Sequence, residues 1–219
     1  MVVIEEREFE RGQPFVTWGL IVANIIVFFA EVMDPRILDV FAFIPAYLLR
    51  GGAYLKAFSA VTIFTSMFLH ADVIHLLSNM YTLWVFGDDC ENIYGRWYFM
   101  LFYFTCGVGA SIIYAVTTPS PEIPCIGASG ALFGILAAYA IFFPTRRLYI
   151  YVRFYFLPVP AIVYVLLYAI FEFLYTLSGI NPYVAHTAHI GGFLTGVILS
   201  VLFKATARPR VYRARRRWW

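Results

Sequence analysis

Four polar side chains stand where this sequence is otherwise apolar: His75 and Asn79 in one hydrophobic run, Ser129 in a second and His189 in a third. A serine hydroxyl becomes a nucleophile when an imidazole lies close enough to take its proton. A side-chain amide and a second imidazole can donate to negative charge that develops on a substrate oxygen. Taken alone, Ser129 reads first as an ordinary intramembrane serine, bonded to its own helix or to a neighbour. Its reactivity depends on what the rest of the chain brings to it.

The positioning elements follow from composition. The chain has 219 residues, of which 62% are hydrophobic and 13% charged. A soluble domain of this size needs more charge to cover its surface. Long continuous apolar runs, without the alternation of a β-barrel, make it a polytopic membrane protein with helical spans. The runs cover about 15–30, 71–86, 97–116, 126–143, 159–177 and 183–203, so the first is a retained span and not a cleaved signal. Residues 33–64 are too interrupted to cross a bilayer and too apolar to be a solvated loop, so this first loop is expected to be partly membrane-embedded. Residues 87–96 read as a polar turn, and 148–157, with Arg153, as a segment near the interface. Cys90, Cys106 and Cys125 are odd in number and have no metal-binding spacing, so no disulfide framework is expected.

Six spans put both termini on one side. Of the 16 Lys and Arg, only Arg36, Arg50 and Lys56 fall on the opposite side. The positive-inside rule therefore predicts a cytoplasmic N-terminus (1–14), a membrane domain (15–203) and a basic cytoplasmic tail (204–219). The tail, Arg213-Ala214-Arg215-Arg216-Arg217-Trp218-Trp219, suits an anionic lipid surface. Directly after a span, that reading outweighs nucleic-acid binding.

In this topology the second, fourth and sixth spans all start from the external side. Five to eight residues inward is about 10 Å below the outer surface, and His75, Asn79, Ser129 and His189 all fall near that depth. His75 and Asn79 share a helix face; His189, Gly192 and Gly196 form a stripe on another. Gly127, Gly130 and Gly134 recur at helical spacing around Ser129, so the fourth and sixth helices can pack backbone to backbone and bring His189 to Ser129. A GxxxG stripe alone is common wherever membrane helices pack. His70 and His186 are read as interfacial and structural. The four histidines could in principle hold a metal, but no carboxylate is expected among them and Glu91 is a span away, so no metal is assigned.

These motifs together resemble the rhomboid intramembrane serine proteases. The resemblance is carried by His70, His75 and Asn79, by Gly127-Ala128-Ser129-Gly130, by Ala188-His189-Ile190-Gly191-Gly192 with Gly196, and by Gly87, Glu91 and Gly95 at four-residue spacing. It covers nearly the whole chain. It implies a six-helix bundle with a Ser129–His189 dyad and no third acidic member. His75, Asn79 and the Ser129 N–H would form the oxyanion hole, and Phe133 would stack on His189. Glu91 and the glycines would serve packing. Glu172, the one carboxylate in the fifth span and the one acid that could approach His189, would be a tempting triad member, but the resemblance assigns none there. It is then expected to face the cavity or the outer interface, protonated by burial. Many family members carry Trp-Arg about nine residues before the first histidine; Val61 and Thr62 stand there, which puts the anchoring of the first loop in question.

The expectation is an all-α, multi-pass endopeptidase that cleaves in or beside transmembrane helices of other proteins, without cofactor or nucleic acid. By family analogy its substrates would approach laterally beside the fifth span, with small residues at the cleavage point. A non-proteolytic rhomboid-like protein that binds membrane helices is the alternative. A transporter would place its polar groups near the bilayer centre or show inverted repeats, and neither is seen.

Overall fold

The computed structural model describes residues 3–5, 13–178 and 185–206. Arg7 and Arg11, the turn around Asn181 and the basic tail beyond Thr206 lie outside the described residues. Helix α1 (Phe15–Met33) is followed by three short helices, α2 (Arg36–Phe41), α3 (Pro45–Arg50) and α4 (Ala53–Thr65). Then come α5 (Val73–Thr82), α6 (Asp88–Tyr94), α7 (Arg96–Thr117), α8 (Ser129–Phe142), α9 (Ala161–Ser178) and α10 (His186–Thr206). Helices α1, α7, α9 and α10 are each long and apolar enough to cross a membrane. The segment 53–68 meets 73–94 at a bend of 84°. The expected polytopic helical architecture is therefore present.

Helix α8 is the centre. Every residue from Gly130 to Ala140 is buried, the pattern of a helix that is apolar all round. Against it lies α10, at backbone contact. A Cβ added at Gly192 would collide with the Gly130 carbonyl, and one at Gly196 would lie 2.5 Å from Gly134 Cα. Any larger side chain would drive the two helices apart.

Residues 87–96 are not a turn. The helix runs from α5 through a π-helical turn (Leu83–Gly87) into α6, and the chain reverses only at Gly95, whose φ of 76° suits glycine. The polar side chains that suggested a turn have partners within the protein. Glu91, 3% exposed, accepts from the backbone N–H groups of Val16 (3.0 Å) and Thr17 (2.8 Å) and from the Thr17 hydroxyl (2.9 Å). Those N–H groups open α1 and have no acceptor within their own helix. Asp89 pairs with Arg146, and Asn92 bonds back to Asp88.

The all-α expectation needs one addition. Residues 148–157 form most of a β-hairpin, β2 (Arg147–Val152) and β3 (Tyr155–Pro160), and β1 (Val3–Glu5) pairs antiparallel with β2. Tyrosine and β-branched residues favour strand pairing here. The hairpin keeps its aromatic end outward, with Phe154 86% exposed.

The first loop is anchored without a Trp-Arg pair. Phe43 pairs with Cys125 through backbone hydrogen bonds in both directions, and the Ala46 N–H donates to the Pro121 carbonyl (2.8 Å). Phe43, Ile63 and Ala115 share a small apolar core. Val61 is half exposed and Thr62 is buried on α4.

Candidate active site

The turn before α8 sets up the site. Gly127 has φ of 110°, a conformation that L side chains rarely adopt, and its N–H donates to the Ser66 carbonyl (2.8 Å). Two residues later Ser129 begins the helix, so its N–H belongs to the first turn, which has no acceptors of its own. That N–H and the positive end of the helix dipole favour negative charge beside the serine.

His189 lies on the first turn of α10, and the glycine contacts set its distance from α8. Its Nε2 is 2.8 Å from Ser129 Oγ. The Phe133 ring, one helical turn beyond Ser129, stacks on the imidazole at 4.5 Å with 9° between planes. The ring is thereby fixed on one face, with its edge toward the serine.

His75 and Asn79 reach the same turn from α5. Asp72 caps that helix by accepting the His75 N–H at 2.8 Å. A Cβ at position 127 would sit 2.8 Å from His75 Nε2 and 3.7 Å from Asn79 Nδ2, so both side chains face the strip of backbone before Ser129. His75 Nδ1 accepts from the Ala71 N–H (3.4 Å), which leaves the proton on Nε2, the atom facing the turn. Asn79 is 5% exposed, and its Nδ2 has no hydrogen-bond partner among the described residues. A buried amide without a partner costs about 1–3 kcal/mol. Such a group is kept where a ligand atom can satisfy it.

Glu172 lines a small cavity together with Phe133, Ala169, Phe173, Ile190 and Phe193, and its carboxylate has partners there. Its Oε2 lies 2.9 Å from His189 Nδ1 and 2.7 Å from His186 Nδ1. A carboxylate thus does sit among the histidines, contrary to the sequence reading, and His186 is part of the same cluster. Two signals could have found it: a carboxylate inside an apolar span is costly and usually functional, and His186 and His189 are three apart on one helix face. His70 stays apart from the serine. Its N–H donates to Glu31 (3.3 Å) and its ring packs edge-on against His75 at 5.0 Å. The three cysteines are free.

A groove of about 610 Å³ lies beside the site, lined by Leu77, Ser78 and Tyr81 of α5, Leu136 of α8, and Tyr164 and Tyr168 of α9. Tyr168 also touches Phe133, which connects the groove to the stacked pair.

Comparison with known proteins gives one consistent result. The family model described as Rhomboid domain matches residues 57–206, more than half the chain. The Rhomboid protease GluP of Bacillus subtilis is 30% identical over 134 residues, covering 61% of this chain and 26% of GluP. The Rhomboid protease AarA of Providencia stuartii is 28% identical over 227 residues, covering 90% of this chain and 75% of AarA. The human Presenilin-associated rhomboid-like protein, mitochondrial, is 32% identical over 142 residues, covering 63% of this chain and 35% of that protein. Against GluP and the human protein, then, the match takes in well under half of the relative's length. The chain belongs to the rhomboid family of integral membrane proteins.

Proposed function

We propose that this protein is an intramembrane serine endopeptidase acting on transmembrane segments of other proteins. The observation that carries this reading is the 2.8 Å contact between His189 Nε2 and Ser129 Oγ. As Ser129 Oγ attacks the scissile carbonyl carbon, its proton passes to His189 Nε2. The imidazolium then protonates the leaving amine, which departs as the C–N bond breaks. Water, deprotonated by the same imidazole, hydrolyses the acyl-enzyme and restores the serine. In this reading Asn79 Nδ2, His75 Nε2 and the Ser129 N–H donate to the oxyanion.

Geometry supports a site below the membrane surface. At 1.5 Å per residue the 14-residue α8 is about 21 Å long, against about 30 Å of hydrocarbon. With its far end at the opposite boundary, Ser129 sits about 10 Å inside the bilayer. The charge pattern supports a topology with the termini in the cytoplasm, in which the site would open to the external side. The groove between α5 and α9 is the route by which an unwound substrate segment would reach Ser129 from the lipid.

The test is fluorophosphonate labelling of the detergent-solubilised protein, with cleavage of a panel of transmembrane segments and mass analysis of the products. Wild type is expected to label and to cleave; Ser129→Ala and His189→Ala are expected to do neither. A product that persists in Ser129→Ala overturns the assignment. No labelling and no cleavage by wild type favours a rhomboid-like protein that binds membrane helices without cutting them.

A further inference from the structure

We propose that Glu172, held in place by His186, is a positioning residue that orients His189 and stabilises its protonated form. The inference rests on the protease reading above and adds a third member to the serine–histidine pair. The order of contacts is Ser129 Oγ to His189 Nε2, then His189 Nδ1 to Glu172 Oε2, with His186 Nδ1 on that same oxygen. Side-chain exposure of Glu172, His186 and His189 is 10–12%, so the contacts are largely shielded from competing water.

Proton placement follows from the acceptor. In this proposal Glu172 is the ionised carboxylate, not the protonated acid expected from burial alone; its oxygen then only accepts, so each histidine carries its proton on Nδ1. For His189 that leaves Nε2 with a free lone pair facing the serine, the tautomer a general base needs. When the serine proton arrives on Nε2, the Nδ1–H stays with His189, and the new positive charge lies against the carboxylate. Glu172 takes no proton at any step. His186 fixes the carboxylate and is itself stacked on Tyr175 at 5.4 Å. Phe133 covers the face of His189, so the ring is held by stacking, by the serine and by the carboxylate.

The same three side chains could converge on a metal ion, since their donor atoms lie within 4.8 Å of one another. Zinc at about 2.0–2.1 Å from each ligand spreads tetrahedral donors to roughly 3.3 Å apart and needs a fourth. The 2.7 and 2.9 Å separations are direct hydrogen bonds instead, and no fourth donor of the ligating types joins them among the described residues.

Among the described residues, the titratable groups around His189 and its carboxylate are Glu172 and Tyr168 of α9, His186 of its own helix and His75 of α5. Glu172 is the acid among them. Removing its charge destabilises the imidazolium that forms when the serine proton arrives, and so moves the acidic limb of the kcat profile to lower pH. In Glu172→Gln we expect kcat near neutral pH to fall about 100-fold, KM to change less than about twofold, and the acidic limb to move by about one unit or more. Glu172→Asp should recover part of the loss, and His186→Ala should shift kcat and the limb in the same direction by less.

A folded Glu172→Gln with wild-type kcat and pH limb overturns the proposal. So does a fall in kcat with an unmoved limb and no rescue by aspartate, which marks a structural role. Labelling abolished by EDTA and restored by zinc assigns the cluster to a metal and also overturns it. If Glu172→Gln does not fold, the wild type decides. Nitrogen-15 spectra of histidine-labelled protein, assigned with His189→Ala, report the His189 tautomer: Nδ1–H supports the proposal and Nε2–H refutes it. An inactive, unlabelled wild type refutes the protease reading instead, and the tautomer is measured independently of it.

Discussion

Substituting Asn79 by alanine should separate stability from catalysis. In the resting protein Asn79 Nδ2 is buried without a partner among the described residues, so it carries a penalty of about 1–3 kcal/mol. Alanine removes that penalty but also removes side-chain packing around a residue only 5% exposed. The two terms oppose, and thermal unfolding in detergent should change by no more than about 1 kcal/mol. The transition state is different. There the amide donates to a developing oxyanion, and loss of one such donor costs about 2.7–4 kcal/mol, or roughly 10²–10³ in kcat. Cleavage of a transmembrane segment should show that fall in kcat with KM nearly unchanged, since the ground-state carbonyl carries little charge for the amide to meet. Unchanged kcat in a folded variant would refute the oxyanion role. A parallel collapse of stability and activity would refute the claim that the amide is unspent in the resting state.

Three further outcomes are expected. Gly127→Ala places a side chain at φ of 110° with its Cβ 2.8 Å from the His75 ring, so it should lose at least about 10-fold in fluorophosphonate labelling rate and about 1–2 kcal/mol in stability. Gly192→Ala should lower the unfolding temperature and the labelling rate together, because pushing α10 from α8 also lengthens the Ser129–His189 contact; a stable, fully active variant would show that the helices can adjust. Glu91→Gln leaves one oxygen to serve donors that now occupy two, and should cost about 1.5–3 kcal/mol by chemical denaturation, with labelling at low temperature close to wild type.

What the sequence revealed depended on how local the signal was. The closeness of Ser129 and His189 followed from small residues at helical spacing on two spans, a pattern that determines which faces meet. His75 and Asn79 lay four apart on a third span, and the depth argument needed only span order. Glu172 was marked as a costly carboxylate in an apolar span, but the direction it faces had no such local signature. Helix α9 is mostly exposed and apolar on every side, with only Ala161, Val165 and Glu172 buried, so its pattern does not say which face turns inward. The helix over Asp88–Tyr94 was hidden for another reason. Asp89, Glu91 and Asn92 suggest solvent, yet their partners are Arg146, Val16 and Thr17, and Asp88, most of them far away in the chain. The hairpin after α8 likewise depends on strand pairing and not on periodicity alone.

The contact between nucleophile and base joins residues 60 apart in the chain, with the base on the last described helix. At synthesis rates of about 5–20 residues per second, His189 follows Ser129 by roughly 3–12 s. During that interval the serine helix, with its glycine-lined face still open, lies in the membrane beside other nascent helices, including its own α9. The proposed protease has no base until α10 docks against α8, and that docking depends on the close glycine contact. Completion of the bundle and onset of activity would then be a single event, which protects the growing chain from its own serine.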